Sequence, residues 1–275
     1  MFPARRRTVN FKMPPESTIA ALPRWWMARQ VRLPWVERWL SRLLPPRCCA
    51  CGEPAEVPGV DLCAICLGDL PFRPSPALEV VGLGAQYHCL PFEYAEPIAG
   101  FIQALKFHGD WRYGRVLGAL LAATRAASGV ALPQAVLAVP LHATRYRERG
   151  FNQAELIAQS AARWLSLPLV HHVLRRSRAT IAQTTLDAAR RRSNLRGAFE
   201  LHERVWRGSA LPRHVAIVDD VVTTGATLAD AVRVLRSAGV HTVEVWAIAR
   251  AGRAATPDDR VAGHADDRRG RLNAR

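Results

Sequence analysis

The chain has 275 residues, 49% of them hydrophobic, and a formal net charge of +15. It is long enough for one large or two small domains and apolar enough to bury a core over most of its length. No run approaches the roughly 20 consecutive apolar residues of a membrane-spanning helix, so an integral membrane protein is not expected. Lysine occurs only at Lys12 and Lys106, so nearly all the positive charge is arginine. That charge fits either a solvated surface with arginines around a phosphorylated ligand or a face that binds a polyanion.

Residues 1–34 carry Arg5-Arg6-Arg7, Pro14-Pro15 and Trp25-Trp26 but no apolar signal core. They read as a disordered basic extension, with Met13 or Met27 as alternative starts, and a cytoplasmic location is expected. Residues 35–70 form the next module. Val36, Trp39, Leu40, Leu43 and Leu44 recur at helical spacing before Pro45-Pro46, which predicts an amphipathic helix that docks on its neighbour or lies on a membrane surface. Cys48-x-x-Cys51 and Cys63-x-x-Cys66 follow, eleven residues apart. Each pair can turn two thiolates toward one metal, and the two pairs complete a tetrahedral Zn2+ site. Four thiolates leave no open position, so the zinc is expected to be structural. Disulfides in an exported protein are the alternative. Cys49 is read as a spare, and Cys89 as a buried apolar thiol in a strand.

A proline-bearing spacer with Pro71, Pro74 and Pro76 leads into residues 84–250, which alternate strand and helix patterns in the manner of an α/β fold with a parallel sheet. The predicted elements are a strand over 87–94, helices over 98–107 and 111–127, and a strand over 135–139. A basic loop follows, with Arg145, Arg147 and Arg149 before Gly150, and then a helix with Asn152 near its start. Open α/β sheets place ligand contacts in such loops, at the carboxyl ends of strands, and arginines there can grip a diphosphate. A strand is expected over 170–174. The polar, strongly basic run 175–194, with Gln183, Thr184 and Thr185 at its middle, reads as a lid over a polyphosphate. Strands over 197–201 and 241–249 and a disordered tail over 251–275 complete the chain.

The segment from Val215 to Leu228 organises the rest. It opens with the apolar run Val215-Ala216-Ile217-Val218, ends that run in Asp219-Asp220, and continues through Thr223-Thr224-Gly225-Ala226-Thr227 into helical spacing at Leu228, Ala231, Val232 and Leu235. Free N–H groups and the positive dipole end at a helix start bind phosphate, and a glycine lets the backbone come close. Two carboxylates beside a phosphate suit sugar hydroxyls or a divalent cation. A phosphate cradle beside an acidic pair describes a ribose-5-phosphate site.

V-A-I-V-D-D-V-V-T-T-G-A-T resembles the motif with which type I phosphoribosyltransferases bind phosphoribosyl pyrophosphate (PRPP). Over 36–250 the chain is similar to the ComF family, on the cysteine pairs after L-L-P-P-R-C, L-K-F-H-G, P-L-H-A-T-R-Y-R-E-R-G-F-N-Q-A, the Q-T-T-L run into R-R-S-N-L-R-G-A-F, and the Asp-Asp motif. The resemblance implies a type I phosphoribosyltransferase fold with a small N-terminal zinc module. It implies Asp219 and Asp220 on the ribose hydroxyls as the catalytic pair, and Val221, Thr223, Thr224, Gly225, Ala226 and Thr227 around the 5′-phosphate. It sets Arg145, Arg149 and Gly150 at the pyrophosphate, Arg176, Gln183 and Arg192 on the closing segment, and Mg2+ on the diphosphate. The implied reaction is displacement of pyrophosphate at the anomeric carbon by an unnamed acceptor. The alternative is a non-catalytic competence factor that aids uptake of single-stranded DNA, by itself or with other DNA-uptake proteins. The chain begins Met1-Phe2, without the cysteine nucleophile of a glutamine amidotransferase, so glutamine chemistry is not expected.

Overall fold

The computed structural model describes residues 46–55, 60–73, 84–177, 197–202 and 212–251, and the packing divides the chain into two units, residues 1–69 and 70–275. The expected basic extension, the helix over 35–44, the C-terminal tail, Gln183 and Arg192 with nearly all of the basic run, and Pro74 and Pro76 of the spacer lie outside the described residues.

The first unit is built from turns. Arg47 bridges Pro54 in antiparallel fashion, Cys48 N–H donates to Glu53 O at 2.7 Å, and Gly52 N–H returns to Cys48 O at 2.9 Å. Gly52 takes φ +82°, a conformation glycine adopts without a Cβ penalty, and it closes the first knuckle. The second knuckle opens α1 (Ala64–Gly68), where the Cys63 sulfur accepts the Cys66 N–H at 3.5 Å as a helix cap. Val60, Leu62 and Leu67 are buried behind the sulfurs.

The second unit is a parallel sheet flanked by helices. Its elements are β1 (Tyr87–Cys89), β2 (Phe92–Glu93), α2 (Ile98–His108), α3 (Trp111–Ala127), β3 (Ala135–Ala138), α4 (Ala143–Arg149), α5 (Gln153–Leu165), β4 (Leu174–Arg176), β5 (Phe199–Leu201), β6 (His214–Val222), α6 (Ala226–Ser237) and β7 (Thr242–Arg250). The sheet order is β1-β7-β6-β3, with β2 also paired to β7 and every pairing parallel; β4 and β5 form a separate antiparallel ribbon. The strands at the centre are apolar on both faces because both faces are covered. Val215, Ile217, Val243 and Val245 join the core under α6 and the ribbon, while Trp246 and Ile248, one residue out of step, are fully buried as well. Helices α3 and α5 pack against each other at Gly118, where a Cβ would collide with Ser160 and the Ile157 carbonyl. Under α3 a buried Glu244 binds Arg125 twice, Nε at 2.7 Å and Nη2 at 2.8 Å, and also meets His214 and the Trp246 indole. A charge at the heart of a sheet survives only with such partners.

Several sequence expectations shift in their details. The strand over 87–94 is two short strands, because Pro91 cannot donate to the ladder. The strand expected at 170–174 sits at Leu174–Arg176, facing β5, and Leu169 makes only an isolated bridge with Val136. The basic stretch after β3 is the helix α4 rather than a loop; His142 Nδ1 caps it by accepting from Thr144 N–H at 3.3 Å, and Gly150 ends it at φ +78°. The run beginning at Val215 continues as strand through Val222, past both aspartates, because β7 is equally long and pairs with it as far as Arg250.

Candidate functional site

The extension of β6 decides how the carboxylate pair is used. Successive side chains of a strand turn to opposite faces, and Asp219 and Asp220 accordingly differ in their surroundings, with Lys106 acting on both. Asp220 is buried, and its Oδ2 lies 2.9 Å from Lys106 Nζ at the end of α2, an ion pair without an aligned hydrogen bond. Arg149 feels the same carboxylate. Asp219 is half-buried and feels Lys106 and, less strongly, Arg176 on the ribbon, while its Oδ1 accepts the Asp220 N–H at 2.8 Å. Burial, reinforced by the neighbouring Asp220, pushes the Asp219 carboxyl up to about 7.

Beyond Val222, Thr223 and Thr224 are exposed and Gly225 adopts φ +74° as the N-cap of α6. No side chain caps this helix well: Thr224 Oγ1 reaches Ala226 N–H only at 3.5 Å, and the first ladder bond runs from Ala229 N–H to Gly225 O at 2.9 Å. The amides of Ala226, Thr227 and Leu228 therefore face a site with the positive end of a twelve-residue helix behind them.

On the opposite rim, α4 sorts its arginines. Arg145 and Arg149 are four residues apart and share one side, whereas Arg147 turns back to its own helix and donates to Ala143 O at 3.3 Å. Arg149 also donates to Gln153 Oε1 and lies 5.9 Å from the centre of the Phe107 ring. Partial burial holds the Arg149 guanidinium below its ordinary range; Asp220 acts against this and Arg145 adds to it. Arg176 has the same pattern, lowered by burial, supported by Asp219 and opposed by Arg145, and it lies 5.5 Å from the centre of the Phe199 ring. Partly desolvated arginines that oppose one another across two carboxylates form an anion site that a phosphorylated ligand would neutralise.

The structure thus draws together Asp219, Asp220, Arg145, Arg149 and Arg176, with the 223–227 loop beyond the aspartates. Val221 is half-buried in the strand, and Gly150 ends α4 beside Arg149. The sequence analysis missed Lys106 as a site residue; its signal was its rarity in an arginine-rich chain, inside L-K-F-H-G. It also missed Phe107 and Trp111, 72% and 64% exposed where large apolar side chains are ordinarily covered.

In the first unit the sulfurs of Cys48, Cys51, Cys63 and Cys66 all lie within 4.8 Å of one another, with Cys51 and Cys63 at 3.7 Å. A tetrahedron with Zn–S bonds of about 2.3 Å has edges of about 3.8 Å, so this donor set fits zinc. Burial and contact with the other three sulfurs push the Cys66 thiol far up, while Cys48, raised by burial, is brought down to about 7 by backbone N–H groups and Cys51. Such crowded, unequal thiols suit a shared dication better than four separate protons. Cys49 lies outside the set, and Cys89 is a buried thiol in β1, pushed up to about 12 by burial, as expected for an apolar filler.

A family model of the phosphoribosyl transferase domain matches residues 152–266. The chain is 41% identical over 162 residues to competence protein F of Haemophilus influenzae, covering 58% of this chain and 70% of that protein. It is 36% identical over 207 residues to the DNA utilization protein YhgH of Escherichia coli O157:H7, covering 74% of this chain and 83% of that protein. Competence protein ComFC of Streptococcus pneumoniae is 28% identical over 169 residues, covering 62% of this chain and 70% of that protein.

Proposed function

This chain belongs to the ComF family, and from that premise we propose that it binds PRPP with Mg2+ and transfers the phosphoribosyl group to an acceptor, releasing pyrophosphate. The observation that carries the reading is the juxtaposition at the end of β6: two carboxylates held among Lys106, Arg149 and Arg176, directly before a glycine-capped helix start with no good side-chain cap. The 5′-phosphate would accept hydrogen bonds from those amides and from Thr223, Thr224 and Thr227. Asp219 and Asp220 would accept from the ribose hydroxyls and hold the ring. Arg145 and Arg149 would take the pyrophosphate, Arg176 would face it from the ribbon, and Gln183 and Arg192 would contribute further contacts to the ligand. With both ends of the ligand gripped, the anomeric carbon is held for attack, which is where positioning lowers a barrier.

The residues fit Mg2+ carried in on the diphosphate: carboxylate oxygens are its preferred donors, and Lys106 already compensates one of the two here. Its chemistry would be to neutralise charge on the departing pyrophosphate. Calorimetric titration with PRPP tests the reading. Micromolar binding that needs Mg2+ and is lost in Asp220→Asn supports it, while no binding at millimolar PRPP rejects it.

A second reading has its own observations. Relatives carry the names competence protein and DNA utilization protein, and Phe107 and Trp111 stand exposed, with Arg149 5.9 Å from the centre of the Phe107 ring. Aromatic faces among cations are how proteins bind single strands without sequence preference. On this reading the protein handles single-stranded DNA with other uptake proteins, and affinity for a random oligonucleotide should fall steeply with salt.

A further inference from the structure

One buried carboxylate has no part in the site as described. Asp230 lies in α6, one turn beyond the helix start, and is 6% exposed. It caps no helix. Its Oδ1 accepts the Gly197 N–H at 3.1 Å, and its Oδ2 accepts the Ala198 N–H at 2.8 Å and the Phe199 N–H at 3.1 Å. Arg233, one turn on, closes its outer side at 2.7 Å. Burial opposes ionisation here, but Arg233 and the amides of Gly197 and Phe199 outweigh it and hold the carboxyl below its ordinary range. Three consecutive amides on one carboxylate are a strong, directional clamp.

What is clamped leads back to the site. Phe199 begins β5 and is paired in register with Arg176 of β4. Its ring lies under the Arg176 guanidinium, which shares charge with Asp219. Asp219 precedes the loop that starts α6, and α6 carries Asp230. The contacts therefore close a ring from α6 through β5 and Arg176 to β6 and back to α6.

We propose that Asp230 is a positioning residue of the ribose-phosphate site: by clamping the Gly197–Phe199 backbone to α6, it sets Arg176 beside Asp219 and ties the arginine to the helix whose start takes the phosphate. The proposal rests on the ribose-phosphate reading above. It makes a prediction that charge alone does not. Replacing Asp230 with Asn removes a negative charge near an anion site, which by simple electrostatics strengthens polyphosphate binding. Loss of positioning weakens it.

The test combines hydrogen exchange with calorimetry on the full-length protein, using PRPP with Mg2+. In Asp230→Asn, exchange should accelerate at residues 174–176 and 197–199, with α3 and α5 still protected as evidence of folding. PRPP affinity should fall about tenfold, the scale found when partners that orient a ligand are removed. Arg176→Ala should weaken binding too, and the double variant should be no weaker than Arg176→Ala alone, because the two act through one contact. Phe199→Leu, which keeps the strand and removes the ring, should reproduce the loss in milder form. Glu200→Gln, on the same ribbon and with the same charge change, should bind as wild type. Unchanged or tighter binding in Asp230→Asn, additive losses in the double variant, or unchanged exchange would each overturn the proposal. Failure of the wild type to bind PRPP at all would overturn the ribose-phosphate reading and the positioning role with it.

Discussion

Lys106 Nζ lies 2.9 Å from Asp220 Oδ2, joining the end of α2 to the strand that carries the acidic pair. Asp220 is 5% exposed, so it cannot rely on water to stabilise its charge. Lys106→Met should strand that carboxylate and destabilise the protein by about 1–3 kcal/mol in urea denaturation, the cost of a buried charge left without its partner. Adding Asp220→Asn to the same chain should recover most of the loss. If Lys106→Met is as stable as wild type, the pair does not hold the site together.

Asp219 makes stability and ligand binding run in opposite directions with pH. Its carboxyl is raised from 3.8 to about 7, so the fold favours the protonated form. The stability this group contributes is therefore complete below its unfolded value and is lost as pH rises through about 7. The advantage of Asp219→Asn over wild type should grow between pH 4 and pH 8, as read from denaturation midpoints. PRPP binding should tighten over the upper part of that range, since ribose hydroxyls donate to the ionised form. A pH-independent difference between the two proteins would show that Asp219 titrates as an ordinary carboxylate.

The four-sulfur set predicts a metal-dependent first unit. Purified protein should carry about one zinc per chain. A chelator should lower the melting temperature, and Cys63→Ser should do the same. Protein free of metal, with an unchanged melting temperature in chelator, would remove the zinc assignment.

Trp111 offers a separable test of the DNA reading. It packs edge-on against Phe151 at 6.5 Å, whereas Arg149 lies over Phe107. If bases stack there, Trp111→Ala should weaken binding of a random single strand by about 1–3 kcal/mol and leave the PRPP dissociation constant unchanged. Equal oligonucleotide affinity in the two proteins would rule this surface out.

The site's backbone chemistry was legible in the linear chain because its parts are contiguous. An apolar strand, two aspartates and a threonine-glycine helix start follow one another from Val215 to Leu228, and each bears a local signature of spacing or conformation. The cysteine knuckles were legible for the same reason: two residues between thiols is itself a geometry. The α3 helix is found as expected at Trp111–Ala127, where periodicity alone sets a long element.

What needed the tertiary structure was everything decided by a partner far along the chain. The length of β6 depends on β7, which pairs with it past the aspartates, and that extension turns Asp219 and Asp220 to opposite faces of the sheet. Lys106 meets Asp220 across 114 residues, and Asp230 reaches back to Gly197 across 33. The basic run after β3 read as a loop because its charges hide a seven-residue helix with no apolar stripe, fixed by a histidine cap at one end and Gly150 at the other. Local propensity and spacing determine which groups are available; long-range packing, which brings distant backbone and charge within a few ångströms, decides which of them meet.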